Sequence, residues 1–166
     1  LDTETIRKGF RPNKIKILLI GESAPVGGSF FYMVDTLTHY THQAFNNVFE
    51  ETQRLNEREF LNFFKDKGFY LDDLCLIPTN KSNESFRNQV YEDSIDSLAT
   101  RLLEYRPQVI IVFLKRIVGP INEAIQKVDL GEYFYYNIPF GGMGHQLKFI
   151  SQLAEILDEL TKLKII

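Results

Sequence analysis

The sequence contains no tryptophan and a single cysteine, Cys75. One cysteine rules out an internal disulfide and any cysteine-rich zinc or iron–sulfur site, and it fits a reducing, cytoplasmic compartment. Long hydrophobic runs are also missing. The longest, residues 17–20 and 109–114, fall far short of a membrane span, so no membrane partner is expected. No signal-peptide pattern opens the chain. There is no basic excess either: 19 Lys and Arg face 22 Asp and Glu, for a net charge of −3. A protein that grips nucleic acid through phosphates usually carries the opposite balance, although a local cationic face can coexist with a net acidic chain. Histidine is scarce. His39 and His42 lack metal-ligand spacing and His145 stands alone, so neither a metal nor a cofactor is expected.

What the chain does have is phenylalanine and tyrosine, 14 and 8 of them, within a composition that is 44% hydrophobic. At 166 residues that supplies one ordinary core, so residues 1–166 are expected to form a single domain, with a monomer favoured.

Hydrophobic periodicity alternates between two kinds along the chain. Residues 15–21, IKILLIG, and 109–114, VIIVFL, are short apolar runs of strand length, as expected for strands buried on both faces. Residues 69–77 and 133–140 read as two further strands. Helical spacing is found over 42–54, 57–67, 91–105, 117–128 and 145–163, and Asn56 with Glu59 makes a capping box for the second of these. Strands alternating with helices predict a three-layer α/β/α domain with a short, mostly parallel four-stranded sheet. Right-handed crossovers give the order 2-1-3-4. That order reverses beside the first strand, and ligands bind outside the strand ends at such a switch point.

Unusual residues cluster in the segments this geometry nominates. Glu22 and Ser23 follow the first strand, and a carboxylate there can orient water or stabilise a cation, or simply cap the loop. Gly27 and Gly28 precede Phe30, Phe31 and Tyr32, any of which can either cover a flat ligand or join the core. Asp72 and Asp73 interrupt an apolar strand and must face opposite sides. A buried carboxylate demands a partner, so one of them either caps a neighbouring loop or reads a ligand. Asn80 lies in the polar loop beyond. Lys115 and Arg116 end the third strand, where they can meet a phosphate or begin a solvated helix. His145 follows the glycine-rich stretch 141–144 and opens the last helix, as a cap or as a functional group near a helix N-terminus.

Residues 14–25, KIKILLIGESAP, resemble the first strand and first motif of the uracil-DNA glycosylase superfamily, in which a glycine is followed by an acidic or amide residue and then a proline. Residues 139–145, PFGGMGH, look like that family's second motif, a loop ahead of the final helix, and residues 68–73 stand where it carries its base-reading strand. The resemblance implies a uracil-DNA glycosylase-like fold and a DNA partner. It also implies hydrolysis of the N-glycosidic bond of a damaged or deaminated base, without a cofactor. Glu22 then falls at the water-positioning residue, with His145 as the one histidine available to the second motif. Ser23, one ring of Phe30, Phe31 or Tyr32, either Asp72 or Asp73, and Asn80 surround the base. Pro139, Phe140, Gly141, Gly142, Met143 and Gly144 form the DNA-binding loop, and Lys115 and Arg116 hold phosphates. Two departures stand out: Ala24 occupies the first motif's usual proline position, and Phe140-Gly141-Gly142 replaces the second motif's His-Pro-Ser. Two alternatives remain open at this point. One is a catalytically inactive nucleotide or single-strand binding protein on the same fold. The other is a small serine hydrolase with Ser23 as nucleophile, which needs a histidine and a carboxylate beside it.

Overall fold

An unbroken apolar run between polar flanks can bury both its faces only inside a sheet, and that is where both such runs lie. In a computed structural model that describes residues 2–79, 83–141 and 144–166, β1 (Ile17–Gly21) and β3 (Val109–Phe113) are the central strands, with every residue buried. β2 (Phe69–Asp73) flanks β1, and β4 (Phe134–Ile138) flanks β3. The order β2-β1-β3-β4 is the expected one, and the sheet is parallel throughout rather than mostly so. Leu19 sits level with Leu71 on one side and Ile111 on the other, which brings the carboxyl ends of the three strands to one height.

Among the described residues six α-helices accompany the sheet: α1 (Thr3–Gly9), α2 (Thr36–Asn46), α3 (Glu57–Asp66), α4 (Glu84–Tyr105), α5 (Val118–Gln126) and α6 (Gln146–Lys162). Two adjacent residues of β2 reveal the layering. Phe69 packs on Phe45 of α2 and Phe64 of α3, while the next residue, Tyr70, meets Tyr105 of α4 on the opposite face. The helices pair accordingly, α2 with α6 and α4 with α5, so the sheet is covered on both sides. No helix among the described residues is long and apolar enough to cross a membrane.

The element boundaries move where capping outweighs hydrophobic spacing. α2 begins at Thr36, because the Asp35 carboxylate accepts a hydrogen bond from the Thr38 amide and Thr38 Oγ1 accepts one from the Asp35 amide. Residues 50–54, expected to continue this helix, form a separate 3₁₀ turn. α4 begins seven residues before the expected 91, with Asn83 capping the Phe86 amide at 2.8 Å. The expected capping box of Asn56 and Glu59 is present in α3. α1 lacks any clear apolar stripe in the sequence and was not foreseen.

An outer strand needs its free edge satisfied. On β2 this falls to side chains. The Tyr32 hydroxyl accepts from the Leu71 amide at 2.6 Å and donates to the Leu71 carbonyl at 3.0 Å, as a neighbouring strand would. Arg7 of α1 adds a bond to the same carbonyl at 3.1 Å.

Candidate functional site

Because β1, β2 and β3 end level with one another, the loops leaving them enclose a cleft of about 290 Å³. That is at the lower edge of the roughly 300–1,000 Å³ range of small-molecule sites. Gly21, Glu22, Ser23, Ala24 and Pro25 form its floor and one side. Phe30, Phe31 and Leu37 make an apolar wall, Phe113 and Leu114 face it, and Phe140 stands at the rim; Asp35, Asp73 and Arg116 supply the remaining polar groups. Two other hollows of similar size are lined differently. One gathers Gln108, Glu132, Tyr133, Phe134 and Ile165, and the other lies between Leu76, Ile77 and α4. Neither brings charged groups of opposite sign together.

Asp73 is the deepest polar group of the cleft. Its Oδ2 accepts from Arg7 Nη2 at 2.7 Å, and its Oδ1 lies so near the Gly21 Cα that a Cβ there would come within 2.7 Å of it. A side chain at position 21 would therefore push the carboxylate aside. Burial pushes the Asp73 carboxyl above its ordinary range, and the Arg7 guanidinium opposes that rise. Arg7 is 1% exposed. Burial disfavours its charge, but Asp73, Asp72 and Glu4 outweigh that and raise its pKa. The same guanidinium lies 5.2 Å from the centre of the Phe30 ring. One buried arginine thus fixes both a carboxylate of the cleft and a ring of its wall.

Glu22 is held differently. Its Oε2 accepts from Arg116 Nη2 at 3.0 Å, and its Oε1 accepts from Arg116 Nε at 3.1 Å and from the Tyr91 hydroxyl of α4. Arg87 Nε lies 3.8 Å from the same oxygen. Burial and the adjoining Glu22 carboxylate push the Tyr91 hydroxyl well above its ordinary pKa, so it stays a donor. Ser23 turns toward Thr79, with 2.9 Å between their hydroxyl oxygens and a Thr79 amide bond to Ser23 Oγ at 3.2 Å. Leu114 carries φ 109° and ψ 111°, a conformation costly for a non-glycine residue. The strain lies at the cleft, where β3 gives way to the turn bearing Lys115 and Arg116.

The structure gathers into this one cleft Glu22, Ser23, Phe30, Phe31, Asp73, Arg116 and Phe140 from the residues singled out in the sequence. Others lie elsewhere. Tyr32 is not a cleft ring: it is buried, stacked on Phe10 at 5.0 Å, with its hydroxyl spent on the β2 edge. Asp72 faces α4, where it accepts from Arg101 at 2.7 Å and from the Tyr105 hydroxyl at 2.9 Å, and it does not line the cleft. Lys115 is exposed outside it. His145 is exposed at the start of α6, makes no side-chain cap and is not among the lining residues. Pro139 is half-buried beside the rim. Gly141 is buried against Phe149 and Tyr40, so it serves packing rather than a loop tip. Gly144 is exposed, with φ +85°. Asn80, Gly142 and Met143 lie outside the described residues.

A serine hydrolase needs a histidine beside Ser23, and the described histidines are placed otherwise. His39 and His42 share Glu57, and His145 stands away on α6. Residues that the sequence did not flag include Arg7, Asp35, Tyr91, Arg87, Phe113 and Leu114. Of these only Asp35 carried a local signal, since its spacing from Thr38 is that of a helix cap. Among the described residues, no group of His, Cys, Asp and Glu side chains is arranged to hold a metal ion. Cys75 is buried outside the cleft, and burial pushes its thiol up to about 11. Comparison with known proteins finds no family model and no curated protein that matches this chain.

Proposed function

We propose that the cleft receives one base turned out of DNA, and that the protein is a divergent glycosylase of the uracil-DNA glycosylase kind, hydrolysing the N-glycosidic bond. The observation that carries this reading is the convergence of Glu22, Phe30, Phe31, Asp73, Arg116 and Phe140, from five separate stretches of chain, on one slot beside an apolar wall. A turned-out base needs a flat apolar surface, a polar group to read its edge and an anion near the sugar. Phe30 and Phe31 supply the surface, Asp73 reads the edge, and Glu22 is the anion.

In the reaction the departing base keeps the electron pair of the broken bond, and positive charge builds on the sugar. The Glu22 carboxylate stabilises that charge and orients the water whose oxygen joins the sugar carbon, while the proton released ends on the base. Arg116, half exposed, faces the strand's phosphate. Phe140, 43% exposed at the rim, is placed to act as an apolar wedge between base steps.

The test is base release from duplexes carrying uracil, hypoxanthine, xanthine or 8-oxoguanine. Release is expected from at least one, and Glu22→Gln should slow it by roughly 10²–10⁴-fold, the usual worth of a positioned general base. No release from any duplex refutes the enzymatic reading.

A second reading has its own support. Glu22 is tied to Arg116 and Tyr91, and no histidine lines the cleft among the described residues. Both observations favour a protein that binds a base or single strand without cleaving it. Single-strand binding without release would identify that case.

A further inference from the structure

Resting on the reading of the cleft as a base pocket, we infer that it selects bases whose pairing edge carries two adjacent N–H donors, the edge of guanine and its lesions, over the alternating edge of uracil. The hydrogen-bonding character of the lining leads there. Asp35, Asp73 and Glu22 all line the cleft, and Arg116, the one cationic residue of the lining among the described residues, is already bonded to Glu22. Asp35 spends Oδ1 on the Thr38 amide, as the cap of α2. Asp73 spends Oδ2 on Arg7, and its Oδ1 lies beside Gly21, which also lines the cleft.

A carboxylate accepts and cannot donate. Against the uracil edge, which runs acceptor, donor, acceptor, Asp73 can satisfy only the central N–H, and it repels the flanking carbonyl oxygens. A 2-amino-6-oxopurine instead presents N1–H and its 2-amino group side by side, so one carboxylate oxygen set between them accepts from both, and only O6, on the far side of N1, opposes it. The apolar walls made by Phe30, Phe31 and Phe113 accept the larger ring, since stacking is tolerant of which base is present. Arg7 acts as a positioning residue. It is buried, bonded to Asp73 at 2.7 Å, opposes the rise that burial imposes on that carboxyl, and holds it in place.

The experiment uses the full chain with duplexes of one sequence that differ at a single position: guanine, 8-oxoguanine, hypoxanthine or uracil. Anisotropy reads binding and strand cleavage at the abasic product reads release. The 8-oxoguanine duplex is expected to be preferred over the uracil duplex by roughly 10- to 100-fold, the worth of one hydrogen bond to a charged group. Asp73→Asn, which restores a donor beside an acceptor, should reverse that ranking. If Asp73→Asn does not fold because Arg7 is left unpaired, Arg7→Met with Asp73→Asn carries the same comparison. Preference for uracil by the unaltered protein, or a ranking that Asp73→Asn leaves unchanged, overturns the donor-edge inference while leaving the base pocket standing. Indifference to every modified base in both binding and release overturns the base pocket itself, and the inference with it.

Discussion

Replacing Arg7 by methionine removes a guanidinium that is 1% exposed and bonded to Glu4 at 3.0 Å, to the Leu71 carbonyl at 3.1 Å and to Asp73 at 2.7 Å, with Asp72 at 3.6 Å. Methionine retains much of the side chain's volume and flexibility, so the change is electrostatic more than steric. Removing one partner of a buried ion pair typically costs about 3–5 kcal/mol, because the other charge is left without compensation. In a domain of this size each kcal/mol moves the midpoint of thermal unfolding by roughly 2–4 °C, so Arg7→Met is expected to lower Tm by roughly 6–20 °C.

The pH dependence separates this cause from a packing defect. Burial already lifts the Asp73 carboxyl above its unfolded value, and without Arg7 the lift grows. A carboxyl whose folded pKa is raised contributes its full stability below the unfolded pKa and loses it as the pH rises through the folded one. The deficit of Arg7→Met should therefore be smallest at about pH 3.5, just under the ordinary aspartate value, and should widen toward neutrality. Urea unfolding of both proteins at the two pH values measures it. The double variant Arg7→Met/Asp73→Asn should recover part of the loss, with a coupling of about 0.5–3 kcal/mol. A deficit that is the same at both pH values refutes the reasoning, as does a variant as stable as the native protein at neutral pH.

Three further substitutions probe the neighbouring geometry. Gly21→Ala places a methyl 2.7 Å from Asp73 Oδ1 and 3.2 Å from the Phe113 ring, and should cost about 1–3 kcal/mol by denaturant unfolding; unchanged stability would mean the carboxylate moves freely. Tyr32→Phe strips the β2 edge of the hydroxyl that serves Leu71, at about 1–3 kcal/mol. The Leu71 amide should then exchange its hydrogen faster, and an unaltered exchange rate would exclude the edge-capping role. Arg116→Ala should weaken DNA binding uniformly across base types and reduce the slope of log affinity against log salt by about 1, whereas an unchanged slope would remove Arg116 from the phosphate contacts.

The architecture was legible in the sequence because a parallel sheet covered on both faces leaves an unusual signature. Residues 17–20 and 109–113 have no polar position, and only a strand wrapped on both sides tolerates that. The strand order then followed from crossover handedness, and with it the floor of the cleft at Glu22. The helix starts were less legible, since α2 and α4 begin at the polar caps Asp35 and Asn83, outside their apolar stripes. Within the site, the pair Asp72 and Asp73 posed a choice that strand geometry alone leaves open. Alternation dictates opposite faces but not which face meets the cleft. The partners decide it, and they come from distant parts of the chain: Arg101 and Tyr105 for one, Arg7 for the other. Which of Phe30, Phe31 and Tyr32 leaves the cleft stays open in the sequence for a similar reason. Three aromatics in a row share composition, and only the position of the β2 edge shows which one spends its polar end on backbone.

The two acids that the proposed function puts to use, Asp73 and Glu22, are each answered by an arginine, but in opposite settings. The Arg7 side chain is 2% exposed and its pair with Asp73 is shut away from salt, so its geometry is part of the fold. The Arg116 side chain is 47% exposed, and a pair so open to solvent is weak and screened at physiological ionic strength. A phosphate arriving at the rim competes with Glu22 for Arg116, while nothing that reaches the rim can compete with Asp73 for Arg7. Under the proposed function, reading the base edge then falls to a rigid carboxylate, and the carboxylate assigned to the chemistry is the one whose cation can be exchanged. On this account raising the salt concentration weakens the hold on DNA long before it alters which base the cleft prefers.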